Sequence, residues 1–227
     1  YHNGDISLSD LRSSKSVQQI IQKANNSHEI CRLKWSPEEN YLASGGGCGT
    51  VKIFDKRIIR NNENCVDSKD PSCIKLVQDS ILTDHSASVK ALSWCPWKPN
   101  ILATGGGIDD GRVILWNTTK GTPIDQISTG SQISGIAFSQ KYKEIALSHG
   151  YGLINGQITI WQVSNMKKIS SIEAHPSRIL SMSMNPMNNM IATLGADEIL
   201  RFWDLFPEQN ENNAKSIHGD DFSRING

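Results

Sequence analysis

The chain has 227 residues, 37% of them hydrophobic and 20% charged, which is enough for one or two globular domains. Its 23 basic and 23 acidic side chains balance, which argues against a nucleic acid or a membrane held by bulk charge. No apolar run reaches the length of a transmembrane span, so we expect none. The five cysteines form no Cys-x-x-Cys pair, which favours reduced thiols of a cytosolic or nuclear protein.

A short β-type run that ends in an aromatic and a polar residue recurs along the chain. It is degenerate at Leu8-Ser9-Asp10 and clear at Ile53-Phe54-Asp55, Leu115-Trp116-Asn117, Ile160-Trp161-Gln162 and Phe202-Trp203-Asp204. The final residues of these runs are 45, 62, 45 and 42 residues apart. Three of the intervals match the period of about 40–45 residues that a four-stranded propeller blade requires.

The elements around these runs keep the same order from unit to unit. Residues 4–12 resemble the closing strands of an upstream blade. In each later unit, an alternating strand such as 89–94 precedes a small-residue strand such as 102–105, a turn and the aromatic strand. Small residues suit strands crowded near an axis, and alternation suits strands with a neighbour on each face. The predicted fold class is therefore all-β, a WD-repeat β-propeller.

The predicted domain boundaries follow from this repeat. Residues 1–12 end an upstream blade, 13–206 form four WD-repeat blades, and 207–227 form a polar C-terminal tail. The Asn-rich and charged segment 56–72 is predicted to be a flexible insertion, which explains the long interval. Because an open stack of four blades would leave sheet edges unpaired, we expect further upstream blades in the complete protein.

Two units carry the same polar set, and its members are His85, Thr104, Asp110 and Trp116 in one and His175, Thr193, Asp197 and Trp203 in the other. A hydrogen-bonded chain from the turn Asp through His to Thr and the indole N–H would satisfy buried polar groups. A His-Thr-Asp trio is also found in hydrolases, but recurrence at the blade period favours a structural role. We therefore predict no catalytic residues. The unit ending at Phe54 has Cys48 in place of the Asp, so its turn should be less tightly fixed.

Other candidate sites fail on their spacing. The glycine runs 45–47 and 105–107 lack the following Gly-Lys-Ser/Thr of a phosphate-binding loop. His28, His149 and His218 have no metal-ligand spacing. The sequence therefore predicts no metal and no cofactor.

Several stretches are more specific than a generic WD repeat. They are ASVKALSWCPWKPNILATGGG at 87–107, NTTKG at 117–121, TGSQ at 129–132, KYKEIALSHG at 141–150, SRIL at 177–180 and ADEILRFW at 196–203. In this collinear order they resemble the Fizzy and Fizzy-related family, the activator subunits of the anaphase-promoting ubiquitin ligase. The resemblance runs from about residue 29 to residue 206.

The resemblance implies a substrate-recruiting activator without enzymatic activity, which binds destruction-box and KEN-box degrons on a seven-bladed propeller and promotes ubiquitination in cell division. About four blades and a part would lie in this chain. The implied partners are the ligase subunits, degron-bearing substrates and pseudosubstrate inhibitors, without nucleic acid or membrane, in the nucleus and cytoplasm. The Asn-rich loops, the insertion and the altered KEN positions predict a divergent fungal activator, and a meiosis-specific member is the preferred hypothesis. The family's ligase-docking C-box is expected upstream, and the sequence given ends in Ile225-Asn226-Gly227 where the family has a terminal Ile-Arg.

Five positions correspond to degron-binding residues of this family. Gln132 and Arg178 retain two members of the KEN-box receptor, where Arg178 would pair with the degron's Glu. Gly49 and Ile108 depart from the usual Asn and Thr, which puts KEN recognition in doubt. Glu198 matches the carboxylate that receives the Arg of a destruction box, in a groove between the first and last blades.

Two alternatives remain open. A WD-repeat scaffold, or a substrate receptor of another complex, would need neither Glu198 nor Arg178. An enzyme would need a nucleophile, a base and an oxyanion donor outside the repeating set, and the sequence places no such group together.

Overall fold

The computed structural model describes residues 3–9, 12, 19–21, 28–56 and 81–206. These residues form seventeen strands in five sheets, which we call blades I to V in chain order. Blade I contains β1 (Ile6–Leu8) and β2 (Gln19–Ile21). Blade II contains β3 (Ile30–Trp35), β4 (Tyr41–Gly46), β5 (Val51–Asp55) and β6 (Ile81–Leu82).

The remaining blades follow without interruption. Blade III contains β7 (Val89–Trp94), β8 (Ile101–Gly106), β9 (Arg112–Asn117) and β10 (Thr122–Ser128). Blade IV contains β11 (Ser131–Ser139), β12 (Glu144–Gly152), β13 (Gln157–Gln162) and β14 (Lys167–Glu173). Blade V contains β15 (Ile179–Met184), β16 (Met190–Gly195) and β17 (Leu200–Asp204).

Each blade is an antiparallel meander whose hydrogen-bonded neighbours follow chain order. The first strands β3, β7, β11 and β15 contact one another in succession, which places them innermost. Four consecutive blades around common inner strands make a β-propeller, so the predicted all-β propeller is confirmed. Short meanders suit this sequence because its strands are separated by brief turns.

A β-bulge recurs near the start of every first strand from blade II to blade V. The register shifts between Ile30 and Arg32, and equivalent shifts follow Val89, Ile133 and Ile179. A bulge re-aims the side chains beside it and increases the local twist. The residues that precede these strands are therefore presented together at one end of the inner strands.

The hydrophobic core consists of layers between adjacent blades. The layer between blades II and III contains Ala43, Val51, Ile53, Leu82, Val89, Leu92, Trp94, Leu102, Ile114 and Trp116. Similar layers join III to IV and IV to V. Strand β5 is buried along its whole length because both of its faces pack against a neighbour. The cohesion of the fold therefore lies mainly between sheets.

Blade V packs against blade IV through one face only. Trp203 and Ile191 lie in the layer shared with blade IV. On the opposite face, Leu194, Leu200 and Phe202 are exposed, Phe202 to 60%. In blades II to IV, the corresponding face is covered by the next blade.

Three sequence predictions concern regions that lie wholly or partly outside the described residues. The insertion 56–72 lies outside the described residues except for Lys56, and the tail 207–227 lies wholly outside them. Strand β2 pairs with β1, so the sheet of blade I joins residues on both sides of the predicted boundary at residue 12. The boundaries 1–12, 13–206 and 207–227 stay predictions. Among the described residues there is no helix with the length and apolarity to cross a membrane.

Candidate functional site

The polar set of blade III forms one continuous hydrogen-bonded chain. His85 Nδ1 lies 2.7 Å from the Asp110 carboxylate, and His85 Nε2 lies 2.6 Å from Thr104 Oγ1. The Trp116 indole N–H donates to the same hydroxyl at 2.8 Å. Asp110 accepts from His85 Nδ1–H, and the Thr104 hydroxyl donates to His85 Nε2. Every side-chain polar group of this four-residue set therefore has a hydrogen-bond partner. Thr104 is fully buried, so its hydroxyl cannot reach a substrate.

The charges of this set follow from its burial. Burial lowers the pKa of His85 below its usual 6.5 despite the hydrogen bond to Asp110, so the imidazole is neutral near pH 7. Burial alone would raise the pKa of Asp110, but hydrogen bonds from His85, the Ser86 backbone N–H and Arg112 outweigh it and lower the pKa to about 2. A buried carboxylate bonded to His85, Ser86 and Arg112 fixes the turn between β8 and β9.

Blade V repeats the arrangement. His175 Nδ1 lies 3.0 Å from both Asp197 oxygens, and His175 Nε2 lies 2.8 Å from Thr193 Oγ1. Trp203 donates to Thr193 at 2.8 Å, and Arg201 donates to the Ala174 carbonyl at 2.6 Å. The structure thus brings together both sets that the sequence singled out.

Blade IV contains a third polar set, which sequence reasoning missed. His149 is fully buried on β12, its Nε2 lies 2.8 Å from Thr159 Oγ1, and Trp161 donates to that hydroxyl at 2.8 Å. Its Nδ1 has no hydrogen-bond partner within the described part of the chain. Burial, with a smaller effect of Lys168, lowers the pKa of His149 to about 4. The signal in the sequence was Thr159 two residues before Trp161, on one face of a strand.

Gly106 is the residue of blade III that corresponds to His149 of blade IV. It shows why a blade contains either the Asp–His–Thr–Trp set or the His149 type of set. Gly106 pairs with Val89 as His149 pairs with Ile133. A Cβ at Gly106 would collide with the Asp110 carboxylate. The two histidine positions compete for the same space. A blade can therefore place its histidine before the first strand or on the second strand, but not at both positions.

Glu198 has an unusual backbone conformation for its residue type. The residue five positions before the last aromatic has positive φ in each of blades II to V, with φ values of 81° at Gly49, 58° at Gly111, 73° at Gly156 and 63° at Glu198. Three of the four are glycines, which adopt this conformation without steric cost. A strained non-glycine residue that persists at such a position is a feature typical of functional sites.

The surroundings of these four positions show where the Glu198 side chain lies. A Cβ at Gly49 or Gly156 would collide with the carbonyl oxygen of His85 or His175, just before the next blade begins. Glu198 is exposed, and no blade in the described residues follows it. The position therefore faces the edge at which another blade would meet blade V.

The same geometry bears on Gly49. Its positive φ and the nearby His85 carbonyl leave no room for an Asn side chain without movement of the neighbouring segment. Gly49 is thus a requirement of the turn in this chain. Its predicted effect on KEN recognition stays a prediction.

Gln132 and Arg178 occupy matching places, each directly before the first buried isoleucine of its innermost strand. They lie on neighbouring blades at the same end of the inner strands. The guanidinium carbon of Arg178 lies 4.3 Å from the ring centroid of Tyr151, a residue of blade IV that the sequence did not point to. Ile108 is 53% exposed in the turn between β8 and β9. In the described ranges, no group of three or more His, Cys, Asp or Glu side chains has the arrangement of a metal site.

Comparison with solved structures places this fold among known propellers. A chain of the "Crystal Structure of Mitotic Checkpoint Complex" matches with a TM-score of 0.76 and 32% sequence identity. The match covers 91% of this chain and 60% of that chain. Because the identity exceeds what shared topology alone produces, the neighbour supports kinship as well as fold.

Three relatives with described roles match most of the chain. "Cell division cycle 20.5, cofactor of APC complex" from Arabidopsis thaliana is 34% identical over 99% of this chain and 47% of its own length. "Anaphase-promoting complex subunit cdc20" from Dictyostelium discoideum is 36% identical, over 83% of this chain and 34% of that protein. "Protein FIZZY-RELATED 3" from Arabidopsis thaliana is 37% identical over 83% of this chain and 35% of its own length. The chain therefore spans less than half the length of these three relatives.

Two family models match parts of the chain. The model "WD domain, G-beta repeat" matches residues 16–55, and the model "Eukaryotic translation initiation factor eIF2A" matches residues 73–201. The eIF2A match runs from β6 of blade II into β17 of blade V, whereas the identity to the first of the activator relatives extends over nearly the whole chain.

The repeated sheets and their polar sets define this protein as a WD-repeat β-propeller. The relatives then settle the family. The chain belongs to the Fizzy and Fizzy-related family of anaphase-promoting complex activators.

Proposed function

We propose that this chain is the degron-binding propeller of an activator subunit that recruits substrates to the anaphase-promoting ubiquitin ligase. The observation that carries the proposal is Glu198, an exposed carboxylate held in a left-handed turn where the other blades have glycine. A carboxylate at the edge of blade V suits the Arg of a destruction-box peptide, since a charge-assisted pair is strong and directional.

The proposal assigns no chemistry to the propeller. The hydroxyls of Thr104 and Thr193 are buried and engaged by an indole N–H, so the two His-Thr-Asp sets serve the fold. The proposed partners are the ligase subunits, degron-bearing substrates and pseudosubstrate inhibitors, in the nucleus and cytoplasm. A fungal, meiosis-specific role stays a prediction.

A second candidate is a WD-repeat scaffold that assembles another complex. The eIF2A family match over residues 73–201 is the observation in its favour. Such a scaffold would have no need for a strained glutamate at the edge of blade V, so the two candidates differ in what Glu198 does.

The test is the affinity of the full-length protein for a destruction-box peptide, measured for Glu198→Ala at one stated salt concentration. We expect binding to weaken at least tenfold, about 1.4 kcal/mol, because the degron Arg loses its partner. Glu198→Lys should weaken binding further, since it repels that Arg. The melting temperature should change little.

Two further variants make the result interpretable. Glu39→Ala removes another exposed glutamate with positive φ, in the turn between β3 and β4, and should leave peptide affinity unchanged. Asp197→Ala removes the partner of His175 and should lower the melting temperature. Unaltered peptide binding by Glu198→Ala would contradict the proposal and favour the scaffold.

A further inference from the structure

Arg178 differs from the arginines of the polar sets in having no acidic partner. Arg112 bonds to Asp110 at 2.9 Å, and Arg201 lies 3.8 Å from Asp197. No carboxylate in the described part of the chain lies within salt-bridge distance of Arg178. Its guanidinium lies instead over the ring of Tyr151. Arg178 is half-exposed at the start of innermost strand β15, where its guanidinium can bind an anion.

The contact with Tyr151 fixes how Arg178 is presented. Tyr151 belongs to β12 of blade IV, Arg178 directly precedes β15 of blade V, and the stacking distance of 4.3 Å bridges the two blades. Guanidinium over an aromatic face gains cation–π attraction and leaves the N–H groups at its edge unblocked. A planar fork of N–H donors held in one orientation matches a carboxylate in bidentate fashion.

Backbone contacts at Arg178 and at Gly150, the neighbour of Tyr151, fix the two chain segments that carry this pair. The Ala196 backbone N–H donates to the Arg178 carbonyl at 2.9 Å, which ties the arginine to the turn after β16. Gly150 lies so close to the Gln132 side-chain oxygen that a Cβ there would press on it. Tyr151 therefore follows directly on the packed contact between β12 and Gln132, and the residue is 47% exposed.

We propose that Tyr151 is a positioning residue that determines specificity, because it orients Arg178 to recognise an acidic side chain of a bound peptide. This inference rests on the proposed degron-binding function and adds to it the residue that makes the arginine selective for a carboxylate. Without the ring, Arg178 would sample many rotamers, and ordering them on binding would cost free energy.

The test uses two synthetic peptides, one containing Lys-Glu-Asn and one containing Lys-Gln-Asn, titrated onto the full-length protein. In the parent protein the Glu peptide should bind more tightly than the Gln peptide. Tyr151→Leu should reduce this preference about two- to fivefold, in line with an exposed cation–π contact, and Tyr151→Phe should retain it. Arg178→Gln should abolish the preference.

Control variants separate this inference from the proposed function. Leu153→Ala removes a side chain that is 87% exposed just after β12 and should leave the preference unchanged. A destruction-box peptide should bind Tyr151→Leu as it binds the parent. A Glu-to-Gln preference that Tyr151→Leu does not change, or no binding of either peptide while the destruction-box peptide binds, would overturn the role of Tyr151 alone. Failure of the parent protein to bind the destruction-box peptide would overturn the proposed function and this inference with it.

Discussion

At the scale of single residues, two positions depart in opposite ways from the pattern of their neighbours on the proposed binding face, which consists of the candidate degron-binding positions 49, 108, 132, 178 and 198. Glu198 carries a charged side chain where the other blades need glycine, although the left-handed backbone costs on the order of 1 kcal/mol there. Ile108 is an exposed apolar residue at a position where the family resemblance implies a Thr hydroxyl. In the proposed function, the first departure adds a carboxylate that can pair with a degron Arg, and the second removes a hydroxyl that could bond to a KEN peptide.

The change at Ile108 leads to a prediction about degron choice. Ile108→Thr should strengthen binding of a Lys-Glu-Asn peptide about fivefold, because one recovered hydrogen bond contributes about 1 kcal/mol. Ile108→Val keeps the site apolar and should leave the affinity unchanged. The measurement is peptide titration by fluorescence polarisation. Equally tight binding of this peptide and a destruction-box peptide by the parent protein would show that Ile108 does not weaken recognition.

Gly49 is not a suitable partner for that experiment. The sequence suggests restoring an Asn there, but a side chain would collide with the His85 carbonyl of the segment leading into blade III. A substitution at this position would therefore alter the packing of two blades as well as the binding face. Ile108, in an exposed turn, changes the binding face with less effect on the fold.

At the scale of the strand and the blade, the polar sets show two solutions to one packing problem. Blades III and V bury an Asp–His–Thr–Trp chain whose histidine precedes the first strand. Blade IV places His149 on its second strand and Thr159 on its third. In every case a threonine hydroxyl receives the indole N–H, so the aromatic that marks the repeat is held in the same way.

His149 gives the fold a dependence on pH whose sign can be worked out. Its folded-state pKa is about 4 and its ordinary pKa is 6.5, so the unfolded chain binds a proton that the folded state excludes. This contribution to stability is complete above about pH 6.5 and is lost as the pH falls toward 4. Between pH 7 and 5 the unfolding free energy should fall by about 2 kcal/mol from this group.

The comparison that tests this is between the parent protein and His149→Gln, which keeps a polar side chain but does not titrate. The melting temperature of the parent should fall more between pH 7 and 5 than that of the variant. A smaller fall of the same sign should remain in the variant, because burial also lowers the pKa of His85. Equal slopes for the two proteins would contradict a neutral, buried His149.

At the scale of the whole molecule, stability comes from layers shared between successive blades. Each layer takes its side chains from two sheets, so the loss of one blade uncovers the face of the next. The exposed Leu194, Leu200 and Phe202 of blade V form such a face. A seven-bladed complete protein, in which a further blade covers this face, stays a prediction.

The segment 56–72 is predicted from the sequence to be a surface insertion, and its removal is a whole-molecule test. Deleting residues 61–72 should leave folding and destruction-box affinity intact, because lengthening or shortening a surface loop changes the loop-closure entropy only slightly. Soluble yield, melting temperature and peptide affinity of the deletion variant measure this. Loss of soluble protein would mean that the segment is structural and that the predicted boundaries within blade II are wrong.

The sequence by itself determined the repeat, the all-β class, the order of strands and the two complete polar sets. These features depend on local patterns: alternation along a strand, a turn after each small-residue strand, and an Asp six residues before a Trp. Each pattern lies within one blade and recurs in at least one other blade, so a single chain contains several copies of the same pattern. The family resemblance, carried by segments from 87 to 203, was confirmed by the relatives.

Only the tertiary structure decided the features that join distant residues. The Tyr151–Arg178 contact joins two blades, and His149 bonds to Thr159 across a strand pair. The need for glycine at position 49 arises from the His85 carbonyl, just before the next blade. The partners in these pairs are separated by 10 to 36 residues and meet through sheet pairing or blade packing, and the His, Thr, Asp and Trp pattern that predicted the two polar sets does not include them. Side chains at such junctions are positioned by the neighbouring blade, and that neighbour is visible only once the blades are assembled.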